Sequence, residues 1–226
     1  MSFPSLIIDF DSTFVGVESL DVLAEIALTA HPERAARTAE VQHLTTLAMN
    51  GEIAFAEALT RRLELIAPRR EHIAALVERL RANISPSFRR NREFLAAQAA
   101  KIWIVSAGFH EFIDPVIAKF GLRREQVLAN RFRFGGDAIT GFDAGNPLAA
   151  DGGKVNAVAA LGLAKPIVAI GDGISDYELF AAGVADRFFA YTESVRRDKL
   201  IALAPQTADD LDEILAAIEI IEKEPS

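Results

Sequence analysis

The chain has 226 residues, half of them hydrophobic, with 24 basic against 32 acidic side chains and a formal net charge of −8. That is enough apolar material for one or two domains, and the acidic balance excludes a protein that grips nucleic acid by neutralising its phosphates. The absence of cysteine excludes disulfides, thiolate nucleophiles and cysteine-based zinc sites, and no apolar run is long enough to span a bilayer.

The four histidines, His31, His43, His72 and His110, show no metal-ligand spacing. The N-terminus lacks a basic segment followed by a long apolar stretch, so a soluble cytosolic protein is the default expectation. Arginine pairs at 61–62, 69–70, 89–90, 123–124 and 196–197 are scattered. Most of them read as solvated helix faces, with Arg62 set apart below.

Leu6–Phe10 reads as a short buried strand ending on Asp9-Phe10-Asp11-Ser12-Thr13. From about 19 to 84 the pattern is helical only. Leu20, Leu23 and Ala27 share one face; Ile73, Leu76, Val77 and Leu80 share another. Helices around Ala35–Met49 and Ile53–Ile66 lie between them. Asn83-Ile84-Ser85-Pro86 breaks the pattern, with Pro86 suited to a first helical turn.

Strands and helices then alternate. Ile102–Val105 is a strand, and His110–Phe120 is a helix stopped by Gly121. Val127–Phe134 and Ile139–Phe142 form a hairpin across Gly135-Gly136-Asp137. Lys154–Leu161 is a helix ended by Gly162, and Ile167–Ile170 and Phe188–Tyr191 are strands. A final helix carries Leu211, Ile214, Leu215 and Ile218, with Thr207 as its cap and Asp209 and Asp210 in its first turn. This order predicts an α/β fold with a Rossmann-like parallel sheet. The helical block is too large for a loop and reads as an inserted cap. The expected division is 1–14 and 85–226 for the core and 15–84 for the cap.

Four segments carry chemistry. Asp9 and Asp11, one residue apart at a buried strand end, are costly unless a cation or substrate uses them. An EF-hand loop is excluded because Phe14 and Leu20 stand where glycine and glutamate are required. Ser106-Ala107-Gly108 between strand and helix is either an ordinary turn or an anion site. Lys154, opposing a helix dipole near its start, is either solvated or set to neutralise phosphate and aspartate charge. Gly171-Asp172-Gly173-Ile174-Ser175-Asp176 puts two more acids at another strand end. If these strand ends are neighbours, Asp9, Asp11, Asp172 and Asp176 crowd one cleft. An oxygen-only donor set then points to a hard cation, Mg2+. A carboxylate beside such a cation is a competent nucleophile toward phosphate.

In this order the four segments resemble the haloacid dehalogenase superfamily, and within it the phosphoserine phosphatase family, over nearly the full length. The resemblance implies that Asp9 is the nucleophile and Asp11 the acid and base. It implies that Asp9, the Asp11 carbonyl and Asp172 hold Mg2+, with Asp176 orienting that shell. Ser106, the amides of Ala107 and Gly108, and Lys154 would hold the phosphoryl group, and Ser175 would lie in the substrate site. Glu18 matches the glutamate that binds a substrate ammonium. The stretch Met49–Leu63 resembles the family's cap segment and puts Arg62 on the substrate carboxylate, with Met49 and Phe55 at apolar pocket positions. Periodicity also favours Arg62 over Arg61, because Phe55, Leu59, Arg62 and Ile66 share a face. Ala107, Asn50 and Ser19 stand where the family often has glycine.

The implied activity is Mg2+-dependent hydrolysis of O-phospho-L-serine, the last step of serine biosynthesis. Its implied partner is a small phosphorylated amino acid, with neither nucleic acid nor membrane involved. A monomer and a homodimer are equally compatible. Alternatives are phosphoryl transfer to another alcohol such as homoserine, a phosphatase for a different small phosphomonoester, or a non-catalytic binder that retains the fold.

Overall fold

A computed structural model describes residues 3–49 and 52–223. Asn50 therefore lies outside the described residues, as does Gly51. Strand β1 (Ser5–Ile8) is four residues long and fully buried. It leads into a wide turn over Phe10–Phe14. Four helices follow: α1 (Ser19–Ala27), α2 (Arg34–Met49), α3 (Phe55–Ile66) and α4 (Arg70–Ala82). An antiparallel bridge between Val15 and Ile84 draws together the two ends of this helical stretch. Pro86 opens the short helix α5 (Pro86–Arg90), where its missing N–H costs nothing; α6 (Arg92–Ala97) follows.

The rest of the chain builds the sheet: β2 (Ile102–Phe109), α7 (His110–Ile117), β3 (Val127–Asn130), β4 (Phe132–Gly135), β5 (Ala138–Phe142), α8 (Gly153–Ala159), β6 (Ile167–Gly171), α9 (Ile174–Ala181), β7 (Arg187–Tyr191), α10 (Asp198–Leu203), β8 (Gln206–Ala208) and α11 (Leu211–Lys223). Six strands run in the order β3-β2-β1-β6-β7-β8, and every neighbouring pair is parallel. β1 is central. The chain leaves it toward β2 on one side and reaches β6 on the other, so the strand order reverses there. Open α/β sheets bind ligands at the carboxyl ends beside such a switch point.

Alternation along the strands divides the core. Leu6, Ile8, Val168, Ile170 and Phe189 face one cluster, with Phe88, Phe112, Ile113 and Leu211 packed over them. Ile7, Ala169, Phe188 and Ala190 face the other, covered by Val158, Leu179 and Leu200. Leu23, Leu59, Leu63, Leu76 and Leu80 of the four inserted helices join the first cluster, so that insert is anchored by apolar burial continuous with one face of the sheet. Among the described residues no helix is long and apolar enough to cross a membrane.

Three expectations need correction. The run Val127–Phe134 is two strands: β3 joins the main sheet, and only β4 pairs with β5 as a hairpin. Arg131 separates them, and a polar residue there lets the chain leave the sheet. Ser106–Gly108 lies within β2, whose pairing with β3 shifts register between Val105 and Phe109; it is not a turn after the strand. Thr207 is in β8, opposite Ala190. The cap of α11 is Asp210, whose carboxylate accepts the Glu213 amide at 3.0 Å.

Candidate active site

Asp9 follows β1 directly, and its own amide is held by the Ile170 carbonyl of β6 at 3.0 Å. The turn that follows forces Ser12 to φ +53°, a left-handed conformation costing roughly 1–2 kcal/mol for an L-residue. That turn aims one hydroxyl at the end of β6 and another at the start of α1. The Thr13 hydroxyl donates to Asp172 Oδ1 at 3.2 Å, and the Ser12 hydroxyl donates to Glu18 Oε1 at 2.6 Å.

Asp172 follows β6 and Asp176 lies in the first turn of α9, where its Oδ2 accepts the Gly173 amide at 3.2 Å. Gly171 has to be glycine, because a Cβ there would lie 2.2 Å from Asp176 Cγ. Gly153 is similar: a Cβ would lie 2.1 Å from the Pro147 carbonyl oxygen. This close approach brings the start of α8, and with it Lys154, down to the cleft. Lys154 Nζ contacts Asp9 Oδ1 at 2.9 Å and Asp176 Oδ1 at 2.7 Å. Burial alone would push this ammonium's pKa down, but Asp176 and Asp9 outweigh it and raise it. Lys154 is therefore a fixed positive charge.

Asp9, Asp172 and Asp176 are buried and present carboxylate oxygens within 4.8 Å of one another. Burial first, and repulsion from Asp9 second, raise the pKa values of Asp172 and Asp176. Asp11 is raised by burial and by Glu18. Glu18 is pushed up to about 7, by burial and then by Asp172. Counting Asp9, Asp11, Glu18, Asp21, Asp172 and Asp176 against Lys154, Arg62 and Arg197, the cleft carries three more acids than bases. An all-oxygen donor set with excess negative charge fits a hard divalent cation, which would reverse the repulsion that raises these carboxyls. The Asp11 carboxylate lies outside the trio, bonded instead by the Ser19 hydroxyl.

Ser106 is buried, and its Oγ accepts the Gly108 amide at 2.9 Å. Here that amide is spent internally. Among described non-glycine residues only Ser12 and Ala67 have positive φ, so Ala107 fits its backbone position without strain. Asn130 supports the segment by donating Nδ2 to the Ala107 and Leu148 carbonyls at 2.9 and 3.1 Å, and its buried Oδ1 has no partner.

On the helical side, Arg62 is 7% exposed and its Nε is unpartnered. Its guanidinium lies 3.7 Å from Asp21 Oδ1, which also accepts the Thr45 hydroxyl at 3.2 Å. Burial lowers the Arg62 pKa, while Asp21, Glu18 and Asp11 act against that. The structure thus brings Arg62 to the same acidic cleft. Phe55 is half-buried and packs on the main core, and its amide donates to Asp151 at 3.3 Å. Met49 is 41% exposed at the end of α2, and Ser175 is exposed in the first turn of α9.

Sequence reasoning missed Arg197. Read with its neighbour as solvated, it instead binds Asp172 Oδ2 through Nε at 2.9 Å and a terminal nitrogen at 2.8 Å, and lies 3.5 Å from Glu18. Asp21 and Asn130 were also missed. A polar residue closing the apolar run before Arg131 was the available signal for Asn130.

The chain matches the haloacid dehalogenase-like hydrolase family over residues 6–181. It belongs to that family. It is 32% identical to a human phosphoserine phosphatase over 93% of this chain and 91% of the relative. Among solved structures it is similar to a phosphoserine phosphohydrolase-like protein from Francisella tularensis, with 29% identity, a TM-score of 0.84, and coverage of 95% of this chain and 99% of the other. A phosphoserine phosphatase captured as a phospho-aspartyl intermediate analogue matches at 26% identity and a TM-score of 0.75, covering 96% of this chain and 99% of the other. Haloacid dehalogenase-like phosphatases typically use a divalent metal, and the acidic trio is where one fits.

Proposed function

We propose that this chain is a Mg2+-dependent phosphoserine phosphatase, releasing serine and phosphate through an aspartyl-phosphate on Asp9. One observation carries the reading: Asp9, Lys154 and the Asp172–Asp176 pair meet at the switch point of the sheet, with Arg62 and Glu18 facing them from the helical insert. Relatives named phosphoserine phosphatase match this chain along nearly its whole length in sequence and in fold, which supports the reading.

In the first step an Asp9 carboxylate oxygen forms a bond to phosphorus as the bond to the serine oxygen breaks. Asp11, whose pKa is raised by burial, gives its proton to that oxygen. In the second step Asp11 takes a proton from water, which displaces Asp9 from phosphorus. Lys154 holds the phosphoryl oxygens and offsets their charge beside Asp9. Ser106 donates its hydroxyl to them, its Oγ held in place by the Gly108 amide. Asp9, Asp172 and the Asp11 carbonyl would hold Mg2+, with Asp176 orienting that shell. The ion supplies charge that offsets repulsion between carboxylate and phosphate.

Glu18 binds the substrate ammonium, and Arg62, with its unpartnered Nε, binds the carboxylate as a planar fork. Met49, Phe55 and Ser175 flank the entrance. Residues 15–84 act as the cap over a core of 1–14 and 85–226, and cytoplasmic serine biosynthesis is the setting that fits. Phosphate release from L- and D-phosphoserine, phosphoethanolamine and an aryl phosphate, with Mg2+ or EDTA and with or without homoserine, tests the reading. Metal-dependent turnover strongest on L-phosphoserine is expected. Turnover of the aryl ester alone would overturn the substrate, and stimulation only by homoserine would make the enzyme a phosphotransferase.

A further inference from the structure

Ser12 and Ser19 cross-link the Asp9–Thr13 turn to the start of α1 in opposite directions. Ser12, on the turn, donates to Glu18 of the helical side. Ser19, the first residue of α1, donates its hydroxyl to Asp11 Oδ1 on the turn. Ser19 itself is fully buried, so its hydroxyl is shielded from solvent. The two hydroxyls thus tie one carboxyl on the turn and one on the helical side. Glycine, often found at this position in the family, lacks the hydroxyl.

We propose that Ser19 is a positioning residue for proton transfer: its hydroxyl fixes the Asp11 carboxyl by Oδ1 and leaves Oδ2 to carry the proton to the leaving oxygen. The inference rests on the phosphomonoesterase reading above. The proton balance is simple. The Asp11 Oδ2–H bond breaks as the new O–H bond of the leaving alcohol forms, while phosphorus exchanges that oxygen for Asp9. Ser19 keeps its own proton throughout. A group placed this way matters only when the leaving oxygen needs a proton. An alkoxide does; a nitrophenolate does not.

The test is kcat/KM, which reports the first chemical step, for wild type, Ser19→Ala and Ser19→Thr on three esters: O-phosphoserine, ethyl phosphate and p-nitrophenyl phosphate. Ser19→Ala is expected to lose about 10- to 100-fold on both alkyl esters, a share of the roughly 10²–10⁴-fold that general acid catalysis supplies. It should lose under about 3-fold on the aryl ester, and Ser19→Thr should restore the alkyl esters. Equal loss on all three esters, or no loss on any, would overturn the assignment. If Ser19→Ala melts far below wild type, Ser19→Gly takes its place with the same criterion. A wild type that cleaves ethyl and aryl phosphates but not phosphoserine would overturn the substrate reading while the Ser19 comparison stands on the other two. Inactivity on every ester would overturn both.

Discussion

The two sides of the cleft are built by different rules. On the sheet side, Asp9, Ser106 and Asp172 lie on or directly after three adjacent parallel strands, and Asp176 and Lys154 come from the first turns of α9 and α8. Each is buried and held by short contacts, such as Lys154 at 2.7 and 2.9 Å from two carboxylates. On the helical side, Arg62 sits 3.7 Å from Asp21 with one nitrogen unpartnered, and Met49 is 41% exposed. The sheet side is already organised for a charge-dense group of one shape. The helical side keeps bonding capacity in reserve for whichever molecule carries that group. Such a division lets selectivity change without disturbing chemistry.

Substitutions can break this contrast in descending order of effect. Asp9→Asn removes the proposed nucleophile, and turnover should fall on the order of 10⁴-fold or more while the fold persists; steady-state phosphate release reads it. EDTA should abolish turnover on every ester, and added Mg2+ should restore it. Gly171→Ala would force its Cβ against Asp176. It should cut turnover about 100-fold and lower the melting temperature, because both the carboxylate and the backbone of β6 must shift. Arg62→Ala should cost about 10- to 100-fold in kcat/KM on phosphoserine, the worth of a lost charge-assisted pair. On ethyl phosphate, which lacks the carboxylate, only a few-fold loss is expected. Equal losses on the two esters would make Arg62 a packing residue. Met49→Ala, at an exposed helix end, should change stability by about 0.5 kcal/mol or less and activity by under about 2-fold.

The α/β class was legible because strand runs such as Ile102–Val105 and Ile167–Ile170 alternate with helical periods. The sheet-side acids were legible because charge at the end of an apolar strand has few structural uses. β8 was not, since Gln206-Thr207-Ala208 is three residues long and has no apolar alternation. Arg197 was hidden for a different reason. It sits in Arg196-Arg197-Asp198-Lys199, a string that looks solvated, and its contacts with Asp172 and Glu18 are 25 and 179 positions away. Pairings at that separation depend on the folded topology and leave no local pattern. Ser19 falls between the two cases. As a departure from a common glycine it was visible, but its partner Asp11 became identifiable only once the turn at Phe10–Phe14 was placed.

The central claim is a covalent phosphoryl intermediate on Asp9. Acid-quenched turnover of phosphate-labelled phosphoserine with Mg2+, followed by peptide mapping, tests it most directly. Label is expected on the peptide containing Asp9 in the wild type and none in Asp9→Asn. Phosphate release without any labelled peptide, or label that persists in Asp9→Asn, would contradict it.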